Sequence, residues 1–244
     1  MMMKKILIKA MNNAKKEKKQ DNVKEFLQVK NSTDNSAELY IYGDIVSDSW
    51  GQWMEEDVYP EYVKDFMINS KNKDLDIYIN SCGGSVIAGF AIYNILKRHQ
   101  GKITCHIDGI AASISSVIAL AADKIVMPEN AYLMIHNPWV SISGSSKELR
   151  EAADSLDVLG KSIKDIYLEN SDMTEEELQL YMDNETWFTG AEASKLFNKI
   201  ELINSIDAVA SLSELKYKHK PENILNKDIE KEEKENLLME LELL

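Results

Sequence analysis

The chain has 244 residues, a hydrophobic content of 44% and a formal net charge of −13. That length and apolar share suit one buried core plus extensions, and the acidic balance argues against general nucleic-acid binding, which needs a basic footprint. The two cysteines, Cys82 and Cys105, form neither a disulfide framework nor a metal-ligand pattern, as expected in a reducing cytoplasm.

No run approaches the roughly 18 apolar residues of a membrane span. Near the N-terminus Lys9 interrupts the apolar stretch after only Ile6 to Ile8, too short for a signal-peptide core, so a cytoplasmic protein is expected. Charge is unevenly spread. Residues 1–30 carry nine lysines against three acids, and residues 226–244 carry seven acids against three lysines. Both stretches read as peripheral helices or partly disordered arms. The expected organisation is a basic arm over residues 1–37, a compact domain over 38–205 and an acidic tail over 206–244.

The domain opens at Glu38-Leu39-Tyr40-Ile41-Tyr42-Gly43, alternating β-formers that run into a Gly-Asp turn. Val58 to Asn69 reads as a helix, and Leu75 to Ile79 as a strand ended by Asn80-Ser81-Cys82-Gly83-Gly84. Val86 to His99 has apolar residues near helical spacing. Ile103 to Ile107 is the next strand, followed by Gly109 and an apolar small-residue helix from Ala112 to Ala122. Short strands follow at Lys124 to Met127 and at Tyr132 to Ile135, the latter running straight into His136. Lys147 to Leu168 is a long amphipathic helix, and Thr174 to Met182 a second, with Thr174 as cap and Glu177 at the capping-box position. Thr189 to Leu196 is a further helix, and Ile200 to Ile203 a closing strand. Strand–helix alternation at this spacing predicts α/β layers with parallel strands.

Three short motifs carry chemistry. The first is Gly109-Ile110-Ala111-Ala112-Ser113, a serine at a strand-to-helix junction. Serine is a favoured N-cap, so one reading of Ser113 is a helix cap alone; the same position can also present a nucleophile beside unpaired backbone N–H groups. The second is the Gly83-Gly84 turn, where glycine permits close backbone approach. An N–H from this turn and the N–H after Ser113 could together hold an oxyanion. The third is His136, at a strand end before Asn137-Pro138, where functional groups collect in open α/β sheets. The other histidines are weaker candidates. His106 lies inside a strand, His99 ends a surface helix, and His219 sits in a lysine-rich segment. Acyl transfer by a serine needs a base, a group to orient that base, and oxyanion donors.

Taken in order, Asn80-Ser81-Cys82-Gly83-Gly84-Ser85-Val86, Gly109 to Ser113, and Met134-Ile135-His136-Asn137-Pro138 resemble the Clp protease proteolytic-subunit family of serine peptidases. The likeness is greatest to its phage and prophage branch, the Clp-like head maturation proteases. It covers about residues 38–205. It implies an α/β, crotonase-like fold of repeated β-β-α units, with a protruding helix, here residues 145–170, that mediates assembly of a homo-oligomeric ring. It further implies Ser113 as nucleophile, His136 as general base, and Gly84 and Ile114 as oxyanion donors. The family's orienting aspartate lies two residues before a Phe matched by Phe188, where this chain has Thr186. Asp183 is chosen as the third member, with a shift in register, over Glu185. Where the family usually has proline this chain has Cys82; a thiol there is a conceivable nucleophile, but the motifs assign that role to Ser113.

The resemblance implies an ATP-independent serine endopeptidase with no cofactor and no metal, acting on a capsid or scaffold protein in the host cytoplasm, with no nucleic-acid or membrane partner. The chain has no Gly-x-x-x-x-Gly-Lys-Ser/Thr pattern, so ATP-driven unfolding would need a partner ATPase unfoldase. The alternatives are a housekeeping degradative subunit coupled to such an unfoldase, a non-catalytic ring-forming homologue, and a crotonase-type acyl-CoA enzyme.

Overall fold

The computed structural model describes residues 35–205. The basic arm and the acidic tail read from the sequence lie outside the described residues, save that β1 takes in Ser36 and Ala37. The elements are β1 (Ser36–Ile45), α1 (Pro60–Asn69), β2 (Asp74–Gly84), α2 (Val86–Lys97), β3 (Ile103–Ala112), α3 (Ile114–Ala119), β4 (Lys124–Pro128) and β5 (Tyr132–Ile135). They continue with α4 (Ser146–Glu169), α5 (Glu175–Asp183), β6 (Thr186–Thr189), α6 (Gly190–Leu196) and β7 (Ile200–Ile203).

Alternation in the strands decides which face is buried. Leu39, Ile41, Leu75, Ile77, Ile79, Cys105 and Ile107 point into the core, while Tyr40, Tyr42, Asp76, Tyr78 and His106 between them stay half-exposed. Helices pack on the apolar side and contribute Val63, Phe66, Ile92, Leu96, Val117 and Ile118 to the same core. Each such aliphatic side chain taken from water contributes about 1.5–3 kcal/mol.

Five strands run parallel in the order β1-β2-β3-β4-β7. This is the α/β, mostly parallel architecture expected from the sequence. The site is positioned by a fork in β3. Its first half, Thr104 to His106, pairs with β4, and its last residues, Ile110 to Ala112, pair with β5. β6 then adds to β5 antiparallel, matching Ile135 with Thr186. The fork brings the C-terminal ends of β2, β3 and β5 to one edge.

Several boundaries differ from the sequence reading. β2 continues past Ile79 to Gly84, and β3 past Ile107 to Ala112. The helix expected over Ala112 to Ala122 is only six residues, Ile114–Ala119. A buried parallel strand is apolar on both faces, so Ile110-Ala111-Ala112 could not be told from helix by periodicity alone. β6 was not anticipated at all. The expected protruding helix is α4, 24 residues with a full capping box from Ser145 and Glu148. It buries only Ile163 and Tyr167, both near its C-terminal end. No helix among the described residues is long and apolar enough to cross a membrane.

Candidate active site

β3 ends at Ala112, and the chain turns at Ser113 with φ 56° and ψ −130°. A positive φ at a residue with a side chain costs on the order of 1–3 kcal/mol and persists only where surrounding structure imposes it. Several contacts impose it. The Ser113 N–H donates to the Met134 carbonyl at 2.9 Å, fastening the turn to the end of β5. The Ser116 hydroxyl donates to the Ser113 carbonyl at 2.6 Å and lies 2.7 Å from the Tyr167 hydroxyl, brought from α4. Tyr167 is fully buried, and burial pushes its hydroxyl pKa up, so it stays protonated.

Ser113 is the N-cap residue of α3, yet its side chain makes no capping hydrogen bond. Its Oγ lies 2.7 Å from His136 Nε2 instead. His136 leaves β5 one residue after Ile135, and the β3–β5 pairing aligns that strand end with the serine turn. Burial lowers the His136 pKa below its ordinary value, partly offset by the negative charge of Glu185. The imidazole is therefore neutral at pH 7 and able to accept a proton from Oγ.

The glycine turn abuts the serine. A Cβ on Gly83 would sit 2.7 Å from the Ala112 carbonyl oxygen, 2.9 Å from Ser113 Cβ and 3.1 Å from the Ile114 nitrogen. Gly83 has φ 92° and Gly84 φ 143°, so the turn needs glycine on conformational grounds as well. Ser81 clamps it: its hydroxyl donates to the Gly43 carbonyl at 2.6 Å and accepts from the Gly83 N–H at 3.1 Å. The Ser115 hydroxyl faces the Ser81 carbonyl at 2.8 Å, tying α3 to β2. Gly84 is exposed, and Ile114 opens α3 with a backbone N–H of the first helical turn. Cys82 is buried beside them at 2% exposure.

The acids behind His136 fall on two sides. Asp183, chosen from the sequence, is exposed, and its Oδ1 accepts from Asn137 Nδ2 and from Gln179 Nε2, both at 2.7 Å. It lines a cleft of about 800 Å³ with Asn137, Pro138, Gly160 and Lys164. The carboxylate whose charge acts on His136 is that of Glu185. The pairing register explains why. Ile135 and Thr186 are the last pair of the ladder, and His136 and Glu185 are the next residues along the two chains. Asp183 is two residues further on, where the Asn137 N–H and the Glu185 N–H both reach the Met182 carbonyl at 3.3 Å.

Of the other histidines, His106 stacks on Tyr78 and bonds Asp76 at 3.0 Å, and His99 Nε2 lies 2.7 Å from the Lys73 carbonyl. Both are structural. No group of three His, Cys, Asp or Glu among the described residues is placed to hold a metal ion. Sequence reasoning missed Ser81, Ser115, Ser116 and Tyr167 as supports. The serine run from Ser113 to Ser116 was a signal for two of them; Tyr167 had none, since only tertiary packing brings α4 to α3.

The profile of the Clp protease family matches residues 48–200. The chain is also 31% identical over 139 residues to "ATP-dependent Clp protease proteolytic subunit 1" of Streptomyces avermitilis, covering 56% of this chain and 64% of that protein. It is 35% identical over 119 residues to "ATP-dependent Clp protease proteolytic subunit 1" of Chlamydia abortus, covering 47% of this chain and 62% of the relative. The "ATP-dependent Clp protease proteolytic subunit" of Borreliella afzelii is 33% identical over 126 residues, 51% of this chain and 64% of that one. The chain thus spans a little under two thirds of the length of these relatives.

Proposed function

The chain belongs to the Clp protease family, and from that premise and the Ser113–His136 pair we propose that it is a serine endopeptidase. The observation that carries the proposal is the 2.7 Å contact between Ser113 Oγ and His136 Nε2, made by a serine that forgoes its capping bond. Ser113 Oγ attacks a peptide carbonyl carbon as His136 Nε2 takes the hydroxyl proton. The carbonyl oxygen becomes an oxyanion held by the N–H groups of Gly84 and Ile114. His136 then returns the proton to the leaving amine, the C–N bond breaks, and an acyl-enzyme remains. Water, deprotonated by His136, releases the acid product. The substrate strand lies extended near the exposed Gly84.

Glu185 takes the orienting role that the sequence reading gave to Asp183. His136 and Glu185 follow directly on the last β5–β6 pair, and the charge of Glu185 favours the imidazolium formed during the reaction. A second feature supports this. Glu185 follows the C-cap residue of α5 with φ 50°, a left-handed position usually given to glycine. A carboxylate kept at a conformational cost suits a functional side chain.

The substrate proposed is a phage capsid or scaffold protein, cleaved without ATP by a homo-oligomeric ring; the support is the resemblance of the three motifs to the phage branch. The second reading is a degradative subunit fed by an ATPase, favoured by the printed names of the relatives. A fluorophosphonate probe tests the chemistry: wild type is labelled, and Ser113→Ala and His136→Ala are not. An unlabelled wild type overturns the peptidase reading, and labelling lost only in Cys82→Ala moves the nucleophile. Co-expression with a major capsid protein, read by mass spectrometry of its N-terminus, separates the two substrate readings.

A further inference from the structure

Tyr167 carries a hydroxyl buried in the core, two hydrogen bonds from the reacting serine yet outside the proton transfers. Tyr167 and Ile163 are the two residues that α4 buries, and the Tyr167 ring meets Phe197 edge-on at 6.1 Å between centroids. Phenylalanine would fill that space equally well. A hydroxyl in the core is costly unless it is hydrogen-bonded, and burial keeps this one protonated by pushing its pKa up. Its partner is Ser116 Oγ at 2.7 Å, and Ser116 is itself fully buried. The direction of that bond follows from the next link. Ser116 Oγ gives its one proton to the Ser113 carbonyl at 2.6 Å, and a carbonyl oxygen can only accept. Tyr167 is therefore the donor, and the chain of bonds runs from Tyr167 O–H to Ser116 O–H to the Ser113 carbonyl.

That carbonyl belongs to the peptide unit whose N–H is that of Ile114. The unit is planar and trans, so its C=O and N–H point in opposite directions and turn together. The carbonyl oxygen has two lone pairs, and the Ser116 N–H takes the second at 3.0 Å. The preceding unit is fixed independently. The Ser115 hydroxyl lies 2.7 Å from the Ala112 carbonyl, and the Ser113 N–H donates to Met134 at 2.9 Å. The rotations between the two units are φ 56° and ψ −130° at Ser113, a sparsely populated pair that needs outside support. We propose that Tyr167 is a positioning residue for the oxyanion site: through Ser116 it aims the Ile114 N–H at the oxygen of the tetrahedral intermediate. The proposal rests on the peptidase reading. A serine hydroxyl on its own swings among staggered positions, and the Tyr167 donor holds it in the one that reaches the Ser113 carbonyl. α4 thus acts on the oxyanion site from the core side, without touching substrate.

Inactivation of the full chain by a fluorophosphonate tests it without a known substrate. Ser113 Oγ bonds to phosphorus, fluoride leaves with the bonding pair, His136 takes the hydroxyl proton, and the phosphoryl oxygen occupies the oxyanion site. The maximal rate, kinact, therefore reads the aim of the Ile114 N–H, while KI reads binding. Outright loss of one oxyanion donor costs about 100- to 1,000-fold, so Tyr167→Phe, which only loosens the aim, should lower kinact about 10-fold with KI unchanged, and Ser116→Ala about 100-fold. The double variant should be no slower than Ser116→Ala, because Tyr167 acts only through Ser116; independent packing effects would multiply instead. Each variant is assayed well below its own melting midpoint, so the rates are those of folded protein. An unchanged kinact in Tyr167→Phe, a loss carried by KI, or losses that multiply overturns the proposal and leaves the peptidase reading standing; an inert wild type overturns both. Should Tyr167→Phe not fold, Ser116→Ala breaks the same chain of bonds at its next link, and an unchanged kinact there overturns the proposal equally.

Discussion

Among the described residues five helices begin at a serine or threonine, and one behaves unlike the rest. At Ser85, Ser145, Thr174 and Thr189 the side chain accepts from the backbone N–H three residues on, and the backbone is extended with negative φ. At Ser113 the φ is positive, no side-chain cap is made, and the hydroxyl is given to His136. The residue type is similar in all five; the strand geometry before it is not. Thr174 begins its helix after a loop and Thr189 ends the short edge strand β6, whereas Ser113 is pinned between the Met134 carbonyl, Gly83 and Ser116. A helix start that spends its hydroxyl on capping stabilises the fold, and one that withholds it leaves an oxygen free to react.

The sharpest way to break the comparison is to exchange residues at the two kinds of start. Ser113→Ala should lower peptide hydrolysis by about 10,000-fold or more with little loss of thermal stability, because no cap is lost. Thr174→Ala should do the reverse, costing about 1 kcal/mol of stability with activity unchanged. If Ser113→Ala destabilised the fold and left hydrolysis intact, Ser113 would be a cap after all.

Next in size is the acid. Glu185→Gln should reduce kcat by about 1,000-fold, while Asp183→Asn stays close to wild type. Glu185→Gly separates catalysis from folding: it relieves the left-handed residue, so the melting temperature holds or rises while activity falls. Equal activity in the Gln and Asn variants would remove Glu185 from the mechanism.

A smaller effect is expected at the glycine turn. Gly83→Ala places a methyl group within 2.7 Å of the Ala112 carbonyl oxygen at φ 92°, shifting the serine turn and its oxyanion donors. A displacement near 1 Å costs about 100-fold in rate, read as kcat on a peptide substrate together with a lowered melting temperature.

The smallest effect is the pH profile. The base works deprotonated, so activity rises with pH through the His136 pKa. Burial lowers that pKa, so the acid limb should lie below the ordinary imidazole value of about 6.5. Glu185 raises it in part, so Glu185→Gln should carry the limb to still lower pH. A limb that does not move in that variant would show that Glu185 exerts no field on His136.

The alternation of β1, β2 and β3 and the amphipathic α4 were legible, because period two and period 3.6 follow directly from strand and helix geometry. Tyr40, Asp76 and His106 fall on one face for that reason. The end of β3 from Asp108 to Ala112 falls outside the expected strand, and Ala112 is given to the following helix, since burial on both faces erases the period. β6 was missed because Thr186 to Thr189 is short and its partner, β5, lies some fifty residues earlier. The same missing strand bears on the choice between Asp183 and Glu185: without the β5–β6 pairing, nothing in the sequence brings Glu185 next to the end of β5.

What the sequence determined by itself was the set of chemically able groups and their order: the glycine turn, Ser113, and His136 before Asn137-Pro138. Local chemistry sufficed there, because only glycine tolerates the turn, only a hydroxyl serves as this nucleophile, and only an imidazole titrates near neutrality. Tertiary structure decided what each group is free to do. The fork in β3 turned a potential cap into an oxygen 2.7 Å from an imidazole, and an antiparallel register of four residue pairs ends at Ile135 and Thr186, one residue short of His136 and Glu185. Distances between residues far apart in the chain depend on how strands pair, and pairing is a property of the assembled sheet.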